Sequence, residues 1–205
     1  MFTRFCQRAL VSVAPVLVLS LLSQAQRSNP LSADVALTFT TDRAKIASTG
    51  CGCFWLQGGS LDASVPIFRG LGVAANLSGE HAANIASGVD LSTVAFVVGP
   101  RYTFSTTRWT RRVPELRHGT SVFGQALYGA SRGFDGAFTT LAGPKGNASS
   151  LALQLGGGVD IGLARGFGVR VFEAEYVRTT FRNFDNNTQN DLRLAAGVTY
   201  HLGRR

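Results

Sequence analysis

Beyond residue 25 the sequence has no continuous apolar run of membrane-spanning length. A spanning helix needs roughly 20 such residues, so a mature chain that crosses a membrane must cross it with strands. Charge is also scarce: only 16% of the 205 residues are Asp, Glu, Lys or Arg. Lys and Arg outnumber Asp and Glu by 20 to 12, a net charge of +8. These basic residues are scattered, and the one dense cluster lies between Arg108 and Arg117. A nucleic-acid binder would show a basic stripe or a known module, so no nucleic-acid partner is expected. Cysteine is sparse too, with Cys6, Cys51 and Cys53 alone. No histidine or third cysteine stands beside Cys51-Gly52-Cys53, and two thiols alone make a poor metal site. A local loop disulfide or two free thiols remain open for that pair. No metal and no cofactor is expected.

The N-terminus carries a targeting pattern. Arg4 and Arg8 form a positive start, Ala9 to Leu22 is apolar around Pro15, and Ser23-Gln24-Ala25 reads as a cleavage site. Residues 1–25 are therefore expected to leave as a signal peptide, with residues 26–205 forming one domain. Removing Arg4 and Arg8 takes the net charge from +8 to +6.

The remainder alternates with period two and shows no capped helical period. The spacing predicts eight strands: Asp34 to Thr40, Phe54 to Val65, Leu71 to Glu80, Val94 to Phe104, Thr120 to Ser131, Leu151 to Ile161, Val169 to Thr180 and Leu192 to Leu202. The connections are Thr41 to Gly52, a tight turn over Pro66 to Gly70, His81 to Asp90, Ser105 to His118, Arg132 to Ser149, Leu163 to Gly168 and Phe181 to Asn190. The fifth segment is apolar on both faces, so its orientation stays open. The seventh slips phase near Val171, as a β-bulge would make it do.

In most segments one face is apolar, as with Val35, Leu37 and Phe39. The other face holds Gly, Ala, Ser and Thr with isolated charges. Small and charged residues together suit the narrow interior of a small barrel whose apolar face meets lipid. Asp62, Glu80, Arg101, Asp160, Glu173, Glu175 and Arg193 are the expected lumen charge network. Such charges need partners, and if they fill an eight-stranded barrel it is a plug. Phe39, Trp55, Tyr128 and Tyr176 fall towards one rim, and Tyr102, Phe104 and Tyr200 towards the other, as two interfacial aromatic girdles would. Connections after odd strands are mostly long and those after even strands mostly short, Ser105 to His118 excepted.

The stretch Asn186 to Leu202, NNTQNDLRLAAGVTYHL, resembles the last loop and strand of small bacterial outer-membrane β-barrels of the OmpA-like superfamily. GPRYTF (Gly99 to Phe104) and FGQALYG (Phe123 to Gly129) are similar to that superfamily's middle strands. The resemblance implies an all-β, closed, antiparallel up-and-down barrel in the bacterial outer membrane. It also implies lipid as the surrounding partner and no fixed activity. The chain departs from many such barrels by ending Tyr200-His201-Leu202-Gly203-Arg204-Arg205 rather than on an aromatic residue.

Other signals are weaker. Gly70 to Ala75 matches a loose G-x-G-x-x-A pattern, but a strand overlaps it where a nucleotide site needs a helix. His81, His118 and His201 converge with no serine and carboxylate that the sequence shows. The expectation is a monomeric, non-enzymatic barrel whose outer loops carry any extracellular contacts. A small porin, a lipid-modifying barrel enzyme and a soluble lipocalin-like carrier are the rivals.

Overall fold

The computed structural model describes residues 32–45, 53–86, 89–105, 119–136, 138–140, 143–164, 166–181 and 187–203. The unit Ala33–Leu202 is a closed antiparallel barrel. Its strands are β1 (Ala33–Lys45), β2 (Cys53–Phe68), β3 (Leu71–Ala86), β4 (Val89–Ser105), β5 (Thr120–Phe134), β8 (Ala148–Ala164), β9 (Phe167–Thr179) and β10 (Gln189–Leu202). Each strand pairs with the next, and β1 pairs with β10 from Ala33↔Leu202 to Arg43↔Leu192, so no edge is left open. Between β5 and β8 lies a small separate hairpin, β6 (Phe138–Thr140) and β7 (Gly143–Lys145).

Alternation decides which face is inside. On β1, Ala36, Thr38, Thr40, Asp42 and Ala44 are buried while Leu37 and Phe39 are about 60% exposed. On β3, Ala74, Asn76, Ser78 and Glu80 are buried beneath exposed Val73 and Leu77. The fifth segment, apolar on both faces, is settled by its neighbours. Phe123, Gln125, Leu127 and Ser131 turn inward, and Val122 and Tyr128 turn outward. The slip near Val171 is a bulge. Val171 and Phe172 are both exposed, and β9 changes register against both β8 and β10 at this point.

The strands are longer than expected. They run 13 to 17 residues, because pairing continues into segments read as loops. β1 extends through Asp42 to Lys45, and β3 and β4 stay paired past His81 to Ala86↔Val89. The reason is that inward small and apolar residues, such as Ala82, keep the ladder covered beyond the clean alternation. Residues 106–118 lie outside the described set, yet β4 and β5 pair directly across that connection. At the same end, the β2–β3 turn places both Arg69 (φ 46°) and Gly70 (φ 89°) in the left-handed region. That is the geometry a two-residue hairpin turn demands, and the Thr103 amide donates to the Gly70 carbonyl at 2.7 Å.

Candidate functional site

The inward faces fill the barrel with a polar and charged column. Towards the short-turn end, Arg101 Nη1 lies 2.8 Å from Asp62 Oδ1. Arg170 grips Asp160 with Nε (2.8 Å) and Nη2 (3.2 Å) and donates from Nη1 to Glu173 at 3.0 Å. The same Nη1 is 3.8 Å from Asp62, so this carboxylate lies between both arginines. The Phe123 ring lies 4.1 Å from the Arg101 guanidinium carbon and 4.4 Å from that of Arg170. Such contacts stabilise most when water is excluded, and Phe123 is only 4% exposed. Glycine makes room for this ring: a Cβ on Gly158 would stand 2.9 Å from Phe123 Cζ and 2.5 Å from the Phe172 carbonyl oxygen.

Gln125 links the two halves. Its Nε2 donates to Glu173 at 3.1 Å and to Glu175 at 2.8 Å. Towards the long-connection end, Arg193 donates to Asp42 from Nε and Nη2, at 3.0 and 3.2 Å. Its Nη2 is also 2.9 Å from Glu80 and its Nη1 3.6 Å from Glu175. Beside this column Ala74, Val97, Leu127 and Ala152 form a dry cluster, each no more than 1% exposed.

All seven charges expected in the lumen occupy it: Asp62, Glu80, Arg101, Glu173, Glu175 and Arg193 are buried, and Asp160 is partly exposed near the short-turn rim. Arg101 pairs with Asp62, while Asp160 pairs with Arg170. Three members were missed. Asp42 stands in Thr41 to Gly52, which the spacing predicts as a loop. Gln125 stood on the strand without an assigned face. Arg170 stood one residue before the bulge, where simple alternation points the wrong way. The bulge itself was the signal that could have found it.

The remaining sequence signals are scattered. His81 Nδ1 is 3.0 Å from Ser92 Oγ on the exposed outer face, with no third group on the ring among the described residues. His201 Nδ1 is 2.6 Å from Asp34 near the short-turn rim. His118 and Cys51 lie outside the described residues, and β2 begins at Cys53. Gly70 to Ala75 forms a turn and the start of β3. Among the described residues no cluster of His, Cys, Asp or Glu could hold a metal ion.

The exterior is apolar. Leu37, Leu61, Leu77, Phe96, Leu151 and Val198 are each 46% exposed or more. Trp55, Tyr128 and Tyr176 stand towards the long-connection rim, and Tyr102, Phe104, Phe167 and Tyr200 towards the other. The Phe167 and Tyr200 rings pack 4.7 Å apart.

No protein-family model matches the chain, and no curated protein matches it. Solved structures do. Neisserial surface protein A superposes with a TM-score of 0.57 at 16% identity, over 82% of this chain and 96% of that one. Ail of Yersinia pestis gives 0.45 at 13% identity, over 83% and 99% of the two chains. The N-terminal β-barrel domain of Pseudomonas aeruginosa OprF gives 0.46 at 11% identity, over 85% and 100%. The chain has the eight-stranded barrel fold of Neisserial surface protein A.

Proposed function

We propose that this chain is an exported bacterial outer-membrane protein, a plugged barrel with a structural or surface-interaction role carried by its long-connection end. One observation supports it above the rest: the barrel is apolar outside and charged inside. In water this arrangement would expose a belt of Leu, Val and Phe while burying ion pairs, the reverse of a soluble lipocalin. In lipid both faces are satisfied. Dimensions agree. A 16-residue strand such as β2 or β3, tilted about 45°, rises roughly 37 Å, against an apolar band of about 25 Å. Part of each hairpin then stands clear of the lipid, on the side where the long connections gather.

The filled lumen favours a plug over a porin, since the ion pairs and the dry cluster share one narrow cross-section. A lipid-modifying enzyme would need a group to orient His81 against Ser92. The working expectation is therefore a monomer without catalytic chemistry, with outer-membrane lipid around its belt and extracellular ligands met through its loops. Residues 1–25 act as the cleaved export signal.

Gel migration of unboiled and boiled protein from isolated outer membranes tests the reading. Presence in that fraction, with a heat-dependent shift, is expected. A soluble periplasmic or secreted protein without a shift would overturn it. In planar bilayers the purified protein is expected to show no open-channel conductance, and steady single-channel currents would favour the porin.

A further inference from the structure

The charged column stops short of the long-connection end, and a cavity of about 90 Å³ opens above it. All eight barrel strands line it. Its upper wall is apolar: Phe54, Leu56, Leu91, Val177 and Phe181 face inward. Leu56, Val177 and Phe181 are buried, and Phe54 and Leu91 pack against Leu56, Ala44 and Ala82, so the wall is a built apolar surface. Phe181 is fixed in that wall from two sides. Gln189 accepts from the Phe181 amide at 3.0 Å and donates to its carbonyl at 3.1 Å, and the Phe138 ring lies 5.3 Å away.

The floor has the opposite character. It carries Asp42, Glu80, Asp191 and one cation, Arg193. Arg193 is already engaged by Asp42, Glu80 and Glu175. Asp191 has no hydrogen bond or ion pair among the described residues, although it lines the cavity two ladder positions above Arg193, on the same face. The floor therefore presents, beneath an apolar wall, a carboxylate without a hydrogen bond or ion pair among the described residues, and the cation acting on it, Arg193, is shared with three other carboxylates. A half-enclosed carboxylate of this kind favours a cation that replaces its lost water. No cluster able to hold a metal ion is found among the described residues, and an apolar wall does nothing for a hydrated ion.

We propose that this cavity binds a small organic cation. Its ammonium or guanidinium group would pair with Asp191, and its apolar body would lie against Phe54, Leu91, Val177 and Phe181. The outer-membrane reading enters only in setting the side from which the ligand arrives.

The test uses the purified barrel in nanodiscs, with benzylamine as probe and benzyl alcohol and phenylacetate as near-isosteres, read by saturation-transfer NMR against empty nanodiscs. Benzylamine is expected to bind saturably, at least ten-fold more tightly than either isostere. Asp191→Asn is expected to weaken it at least ten-fold, and Val177→Trp, which fills the cavity, to abolish it. Each variant is first checked for heat-modifiable migration; if Val177→Trp does not fold, Thr93→Phe fills the same wall. Absence of benzylamine binding, equal binding of phenylacetate, unchanged affinity in Asp191→Asn, or displacement by equimolar magnesium would each overturn the proposal. Because the measurement is made on isolated barrel, a failure to find the protein in outer membranes would sink the localisation and leave this result readable.

Discussion

The two halves of the lumen spend their arginines differently. In the short-turn half, Arg101 and Arg170 face Asp62, Asp160 and Glu173, with the Phe123 ring against both guanidiniums. In the other half, Arg193 alone faces Asp42, Glu80 and Glu175, and Asp191 is left over beside a cavity. The first arrangement sets two cations among three carboxylates, with Arg101 Nε and Nη2 left without a hydrogen-bond partner among the described residues. The second sets one cation among four carboxylates and lines a cavity. Rigidity and receptivity are thus assigned to opposite ends of one column, joined by the forked donation of Gln125.

Substitutions that remove a cation should separate the halves most clearly. Arg170→Met takes the partner from Asp160 and Glu173 and half of the contact from Asp62. Stranding buried carboxylates costs about 3–5 kcal/mol, so urea unfolding in vesicles should show a loss of that size. Arg193→Met strands three carboxylates as well, but two of them, Asp42 and Glu80, line a cavity into which they can relax. Its expected loss is smaller, about 2–3 kcal/mol by the same argument. If Arg193→Met proves the more damaging, the contrast between the halves collapses.

Packing gives the next effect. Gly158→Val sets a branched side chain against Phe123 and the Phe172 carbonyl. Overpacking of this kind typically costs about 1–3 kcal/mol, and it should fall on the short-turn half. The same assay should show little change for Gly146→Ala, whose added Cβ meets nothing within 4 Å.

Much of this architecture was legible because a membrane barrel writes its two faces into alternate residues. The clean strands, Leu151 to Ile161 and Leu192 to Leu202, show both faces without ambiguity. Legibility failed where a second rule competed. At Arg170 the bulge reverses the parity, so by alternation alone a cation that joins three lumen carboxylates points at lipid. At Gln125 both faces of the strand are apolar enough for either, and only the neighbouring strands choose. At Asp42 the polar run from Thr40 to Arg43 looks like a loop, because a lumen strand and a loop use the same residues. The cavity was invisible for another reason. It depends on eight strands closing at one level, and no local pattern records that.

The smallest expected effect has the most diagnostic sign. Asp191→Asn removes a charge that stands near Asp42 and Glu80, has no hydrogen bond or ion pair among the described residues, and shares Arg193 with three other carboxylates. Replacing such a carboxylate with an amide of the same shape relieves like-charge repulsion and a desolvation cost. Stability should therefore rise slightly, by about 0.5 kcal/mol on the scale of exposed charge pairs, even as benzylamine binding falls. A residue kept for structure would lose stability when neutralised. A residue that gives up stability for an available charge gains it, as functional sites commonly do. A clear loss of stability in Asp191→Asn would place this carboxylate with the structural charges of the short-turn half.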